Sequence, residues 1–226
     1  TYRIESLAQL VGLSTLPASD YANSDIEIVF KSGDVSSVAD QFKGLGSSSA
    51  PFAGKLIFNS EGEANLTLSR PLFNYLSSQA TCTVNNSATG YLQLTDNNAE
   101  GALLAEVLTG GGTGSAWKVA VYNSQAEGHP IIGTMKSGSS STLSVKDGYR
   151  YPVKAANAGL LCGVMEENTQ LTLEHYEQIT EKETGDSVEN AAPSASGAGG
   201  GLVGKMGENA ALTVASSLTC ASIINA

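Results

Sequence analysis

Short runs in which apolar and polar residues alternate are the feature of this 226-residue chain that most constrains its fold. Such alternation puts one face of an extended segment into a core and leaves the other in water, which is typical of a β-strand. Gly, Asn, Asp and Ser separate the runs, as expected of turns. Eleven segments have this character, at 25–32, 54–60, 64–69, 91–96, 116–124, 130–137, 141–147, 149–155, 159–165, 169–176 and 211–220.

The connections between these segments predict how the strands pair. Gly62 and Gly138 lie in two short polar connections, and Asp147-Gly148 is a two-residue hairpin signal. Short turns join antiparallel neighbours, whereas parallel neighbours need a crossover of about a dozen residues or more. We therefore predict a mainly β fold, an antiparallel β-sandwich of which the jelly roll is one form. The apolar phase of the strands predicts a core containing Ile28, Phe30, Leu56, Phe58, Leu92, Val119, Val121, Leu171 and Leu173.

Four segments space their apolar residues by three and four and predict a few short helices in the connecting loops. They are 6–13, 34–45, 69–78 and 97–112. Strands and helices do not alternate regularly, so a doubly wound α/β fold is not expected. The sequence also shows no evident internal repeat of about 20 to 50 residues.

Composition divides the chain into three parts. Residues 1–190 are predicted to be the sandwich domain, with an acidic, solvated end at 166–189 that carries eight acids against one lysine. Residues 191–207 are rich in Gly, Ala and Ser and predict a flexible tether. Residues 208–226 contain a strand that the tether delivers, either to a neighbouring subunit or back onto its own sandwich. One phase of this assembly arm carries Leu212, Val214, Leu218 and Cys220.

Within the tether, Gly199, Gly204 and Lys205 reproduce the spacing of a phosphate-binding loop. Met206 stands where that motif needs a hydroxyl for Mg²⁺, and Pro193 interrupts the polar residues before it, where a buried strand is required. The sequence therefore predicts no nucleotide cofactor.

The charge of the chain indicates which partners and which location to expect. The net charge of −10 disfavours nucleic acid and anionic membrane surfaces. The last uncharged run, 209–226, is too polar for insertion into a membrane. Only 15% of the residues are charged, against about 25% in ordinary soluble domains. Secreted and assembled structural proteins share this composition, so the predicted location is a virion or the extracellular space.

Motifs that carry chemistry are scarce. The chain has two histidines, His129 and His175, too few for a three-histidine zinc centre, and it has no G-x-S-x-G motif. We predict no catalytic, metal or cofactor site. Whether any two of the three cysteines, Cys82, Cys162 and Cys220, form a disulfide stays open. Tyr149 and Tyr151 share one strand phase and are a candidate binding surface.

These observations lead to hypotheses from three classes. The leading prediction is a non-enzymatic structural subunit of a symmetric assembly, such as a viral or phage capsid, decoration or spike protein, or an extracellular filament. Its partners are copies of itself or other subunits of the same assembly. The alternative is a secreted or surface-displayed adhesin or lectin-like binding module. A hydrolase with scattered carboxylates is the third.

Overall fold

A computed structural model of the chain describes residues 1–30, 41–60, 66–85, 90–96, 101–112, 114–123, 129–147, 157–178, 198–199, 201–215 and 218–219. These ranges contain helix α1 (Leu7–Ser14), a 3-10 turn at Ala18–Asp20, and eighteen strands. In chain order the strands are β1 (Tyr2–Ile4), β2 (Asp25–Phe30), β3 (Lys55–Ser60), β4 (Leu66–Leu68), β5 (Phe73–Ser77), β6 (Thr81–Val84), β7 (Leu92–Asp96), β8 (Ala105–Thr109), β9 (Ser115–Asn123), β10 (Ile132–Met135), β11 (Ser140–Asp147), β12 (Asn157–Ala158), β13 (Cys162–Met165), β14 (Gln170–Gln178), β15 (Ala198–Gly199), β16 (Val203–Met206), β17 (Ala211–Val214) and β18 (Leu218–Thr219).

The strands form three main sheets in which each neighbour comes from the next pass of the chain. Sheet 1 has the order β1-β2-β3-β6, sheet 2 the order β16-β13-β10-β8-β5, and sheet 3 the order β17-β14-β11-β9-β7-β4, with β18 also beside β14. A separate pair joins β12 to β15. Paired residues lie 24 to 32 positions apart in most passes and 41 apart in the last, where Gln170 faces Ala211. The chain is therefore a β-solenoid, and each pass is one coil.

The predicted antiparallel β-sandwich, including its jelly-roll form, is wrong, although the fold is mainly β. Every strand pair among the described residues is parallel. A strand does not fold back beside the preceding one; it pairs with its counterpart one coil away, so a whole coil serves as the crossover that parallel pairing needs. The expectation of a virion or extracellular protein rests on composition and stays a prediction.

A stack of tight turns carries the chain from sheet 2 into the following strand of sheet 1 or sheet 3. Gly138, Asn168 and Asn209 each lie three residues after the last residue of a sheet 2 strand and have φ values of 74°, 56° and 55°. This left-handed conformation suits Gly, and Asn among other residues. The amide of Gly138 donates to the Glu167 carbonyl at 3.4 Å and that of Asn168 to the Glu208 carbonyl at 3.0 Å, so each turn is bonded to the next.

The three residues Gly138, Asn168 and Asn209 are called the corner column below. At Gly138 the chain turns toward β11, which pairs with β9 and β14 and not with the preceding strand β10. The turn is therefore a corner of the coil, and the predicted hairpin at this position is wrong.

Two predicted helices are strands, and burial explains the error. Segments 69–78 and 97–112 contain β5 and β8, in which two half-buried residues separate buried ones: Phe73 and Leu76 in β5, Ala105 and Leu108 in β8. This spacing of three mimics one face of a helix. The helix predicted over 6–13 is confirmed as α1, and segment 34–45 lies mostly outside the described residues.

The apolar core runs through the inside of the coils. Eight of the nine predicted core residues are buried, and the side chain of the ninth, Phe30, lies outside the described part. Rings stack from coil to coil: the centroids of Phe52 and Phe73 are 5.1 Å apart, and those of Phe73 and Trp117 are 5.5 Å apart with an edge-on contact. Such pairs stabilise a core beyond their area of contact.

Helix α1 covers the first coil. The hydroxyl of Ser6 caps it by accepting from the Gln9 amide at 3.3 Å, and its leucines and its valine are buried in the core. In the last described coil, by contrast, Met206 is 46% exposed and Val214 41% exposed.

Candidate functional site

The residues predicted for the assembly arm fall in the last coil. β17 pairs with β14 of the same chain, where Leu212 packs against the core while Val214 remains exposed. Leu218 is in β18, opposite Tyr176. Cys220 lies outside the described residues, as do the two candidate binding residues Tyr149 and Tyr151.

The residues of the phosphate-loop spacing lie in strands. Gly199 ends β15, and Gly204 and Lys205 are in β16, which pairs with β13 in sheet 2. No helix follows them among the described residues up to 215. The described part of segment 191–207 thus contributes to the sheets, and residues 191–197 lie outside the described residues.

Two acids of the predicted acidic end form ion pairs across coils. Lys136 donates to Glu166 at 2.5 Å, and Lys146 lies 3.2 Å from Glu177. The hydrogen bond from each lysine lowers the pKa of its carboxyl partner. Both carboxylates are therefore paired with a lysine on the surface of the coils.

Within the described residues, the pairing of strands is interrupted between β6 and β9. Among the described strands, β6 pairs only with β3, and the first half of β9 pairs only with β11, because β7 begins its pairing at Val119. These two strands lie side by side without pairing, and a cavity of about 340 Å³ opens beside them and extends over β11 and β14. Its walls are Cys82–Val84 of β6 and Ala116–Lys118 of β9, and we call it the β6–β9 cleft.

Backbone groups of β6 point into this cleft. The amides of Thr81 and Asn85 donate toward β3, to the carbonyls of Gly54 and Phe58, at 3.1 and 2.8 Å. Since successive residues of a strand direct their backbone groups to opposite sides, the amides of Cys82 and Val84 are directed toward the cleft. Unpaired strand edges of this kind are ready hydrogen-bonding surfaces.

A β-bulge adds a carboxylate to the cleft. Along the pairing of β11 with β14, Leu143 faces Leu173 but Ser144 faces His175, so Glu174 is the extra residue of the bulge. Bulges redirect side chains and are common beside binding sites. Glu174 lines the cleft together with Thr142 and Ser144 of β11.

The charges of the cleft balance. Lys118 lines it, and this ammonium forms no ion pair with any described residue. Cys82 also lines it, and burial raises the pKa of its thiol to about 12, so the thiol is neutral at physiological pH. One cation and one carboxylate, Glu174, therefore stand among hydroxyl and backbone groups.

Trp117 belongs both to the lining of the cleft and to the core. It is 1% exposed, and its indole Nε1–H has no hydrogen-bond partner in the described part of the chain. It is also the only tryptophan of the sequence. Changes beside the cleft can therefore be followed through a single intrinsic tryptophan fluorophore.

A second cavity of about 430 Å³ lies near the start of the stack, where Ser19 and Asn23 approach Gln79 and Thr109. Its lining contains no charged side chain. In the described ranges no three His, Cys, Asp or Glu side chains are placed to hold a metal ion, and no helix of those ranges is long and apolar enough to cross a membrane.

Comparisons with known proteins give no relative for this arrangement. No family model matches the chain, and no curated protein or solved structure matches it either. The site must therefore be interpreted from its own geometry.

Most of the cleft could not be found in the sequence. Lys118 and Trp117 lie in a predicted strand with no local mark of function, and Glu174 is one of eight acids in segment 166–189. The usable signal is the pattern of β14, where alternation fails at Glu174-His175 and so indicates a bulge.

Proposed function

We propose that this chain is a non-enzymatic binding module that receives a small ligand in the β6–β9 cleft. The observation that carries the proposal is the interruption of the ladder between β6 and β9, which leaves two strand edges facing a cavity of about 340 Å³. Ligand cavities of proteins begin at about 300 Å³ and combine apolar walls with a few directed polar groups. The cleft has this size and lining.

The chemistry of the cleft favours binding over catalysis. A nucleophile needs an activated form, and the thiol of Cys82, with a pKa of about 12, is held protonated. Neither His129 nor His175 lines the cleft, so no imidazole is at hand as a base. The remaining polar groups are suited to hydrogen bonding.

This proposal develops the expectation of an adhesin or lectin-like module. An extracellular setting remains the expectation from the low charge content of 15%. The assembly hypothesis stays a prediction. The described strand of segment 208–226, β17, pairs with β14 of its own chain, which is one of the two placements expected for that segment.

The experiment is a ligand screen by saturation-transfer NMR on the full chain, followed by mapping of the binders on backbone amide resonances. We expect binders to shift Cys82, Val84, Lys118 and Glu174 together. A ligand at a hundred times its dissociation constant stabilises the folded chain by about 2.7 kcal/mol, which raises the Tm of a chain of this size by about 5–10 °C.

Matched variants locate the site. Lys118→Met removes the ammonium of the cleft, and Lys205→Met removes an exposed ammonium on sheet 2. We expect the first to weaken binding and the second to leave it unchanged. Binders that map elsewhere, for example on the cavity beside Asn23, or equal behaviour of the two variants would contradict the proposal.

A further inference from the structure

Resting on the proposed function, we infer that the ligand of the β6–β9 cleft is a neutral saccharide unit, a mono- or disaccharide or the end of a longer glycan. Three properties of the cleft lead to this class: its size, its balance of charge and its mixture of hydrogen-bonding groups.

Size limits the ligand first. A cavity of about 340 Å³ is near the lower end of the range for ligand sites. A peptide added as a full strand along the four residues of β6 extends over about 13 Å, and it also needs the width of a strand between β6 and β9. A compact ring fits a cavity of this size better than an added strand does.

Charge balance then disfavours ionic ligands. Lys118 attracts an anion, but Glu174 lines the same cavity and repels it. A cation is attracted by Glu174 and repelled by Lys118. Cys82 adds no charge, because its thiol is protonated at physiological pH. A neutral ligand hydrogen-bonds to both ionised groups and is repelled by neither.

The polar groups finally call for a ligand that donates and accepts at many atoms. The hydroxyls of Thr83, Thr142 and Ser144 each donate and accept, the ammonium of Lys118 donates, and the carboxylate of Glu174 accepts. A sugar hydroxyl does both in the same way.

The apolar wall matches the other face of such a ligand. Val84 and Ala116 offer apolar groups to the C–H face of a sugar ring. Polar and apolar groups thus meet in one cavity, which is the combination that an unmodified sugar presents.

The test is a fluorescence titration of the full chain, in which Trp117 is the only tryptophan. The probes are glucose, galactose, N-acetylglucosamine and their disaccharides, with glucuronic acid and glucosamine as charged analogues and tri-alanine as the peptide probe. We expect a saturable change with at least one neutral saccharide, and at least tenfold weaker binding of the charged analogue of the same ring. Saturation-transfer NMR with the same probes detects binding that does not alter the emission.

Variants distinguish specific recognition from general contact. Glu174→Gln keeps the size of the side chain and removes its charge, and we expect it to weaken saccharide binding at least tenfold, as Lys118→Met does. Lys205→Met is the control on another sheet and is expected to bind as the wild type. Far-ultraviolet circular dichroism verifies that each variant is folded. Unchanged affinity in both cleft variants would overturn the inference.

The outcomes also separate the inference from the proposed function. If tri-alanine or a charged analogue binds in the cleft and no neutral saccharide does, the saccharide inference is wrong and the binding module stands. If ligands of every class leave both the Trp117 emission and the cleft resonances unchanged, the proposed function itself is wrong.

Discussion

The corner column offers the sharpest energetic test of the solenoid, through the substitution Asn168→Ala. Asn168 has a φ of 56°, and alanine in this left-handed conformation costs about 1–2 kcal/mol. The side chain is exposed, so the loss of the 3.3 Å hydrogen bond from Asn209 adds little. We expect Asn168→Ala to lower the free energy of unfolding by about 1–2 kcal/mol. Asn168→Gly keeps the backbone conformation and should stay within about 1 kcal/mol of the wild type.

Urea unfolding, followed by circular dichroism and by Trp117 fluorescence, measures these changes, and agreement of the two signals tests whether the coils unfold together. The control is Glu167→Ala, one position earlier in the same turn, where φ is not positive and the side chain is exposed. It should change stability by less than about 0.5 kcal/mol. If Asn168→Ala is as stable as Glu167→Ala, position 168 is not left-handed and the stacked corner is wrong.

Three further predictions address the stack. Gly12→Ala should stabilise α1 by about 0.5–1 kcal/mol, because no atom lies close to the position of the new Cβ. Gly54→Ala should destabilise the folded chain by about 1–3 kcal/mol, because the new Cβ would overlap a backbone oxygen. Urea unfolding measures both changes. Burial raises the pKa of the Cys162 thiol to about 12, so this thiol should react with an alkylating reagent about a hundredfold more slowly in the native chain than in the unfolded chain. Mass spectrometry of the peptide that contains Cys162 measures the two rates. Spin labels at Tyr75→Cys and Lys205→Cys, four strand spacings apart in sheet 2, should give a backbone separation of about 19 Å, and a much larger one would refute the parallel order.

The sequence predicts the core of this fold and many of its strands, but it misidentifies β5 and β8 as helices and is wrong about strand direction. Alternation placed Ile28, Leu56 and Leu171 correctly in the core, since the inward face of a strand is apolar whatever its neighbour's direction. The same alternation is produced by parallel coils and by antiparallel hairpins. Direction depends on which strand lies alongside, and here that strand is 24 to 41 residues away.

Turn residues carry a similar ambiguity. Gly138 supplies a left-handed residue, which both a hairpin and a solenoid corner require. A clue to the corner lies in the repetition of one pattern, because Gly163, Met165 and Asn168 recur 41 residues later as Gly204, Met206 and Asn209. The same pattern stands 30 residues earlier as Gly133, Met135 and Gly138, and the unequal spacings of 30 and 41 residues obscure a fixed period.

The candidate site could not be predicted from local sequence, because it depends on two neighbouring strands, β6 and β9, that do not pair. Nothing in Cys82–Val84 or in Ala116–Lys118 indicates that these strands are adjacent and unpaired. Glu174 reaches the cleft only because a bulge shifts the register between β11 and β14. Both features depend on the three-dimensional stack, whereas the scarcity of catalytic motifs is a property of the sequence itself.

Amide hydrogen exchange at β6, measured residue by residue by NMR, tests most directly whether the sheet is open at the β6–β9 cleft. The amide of Thr83 is directed toward β3, in line with those of Thr81 and Asn85, and should be protected. The amides of Cys82 and Val84 face the cleft and should exchange at least about tenfold faster than Thr83, and a bound ligand should slow them. Equal protection of Cys82, Thr83 and Val84 in the ligand-free chain would show a continuous sheet and contradict the account.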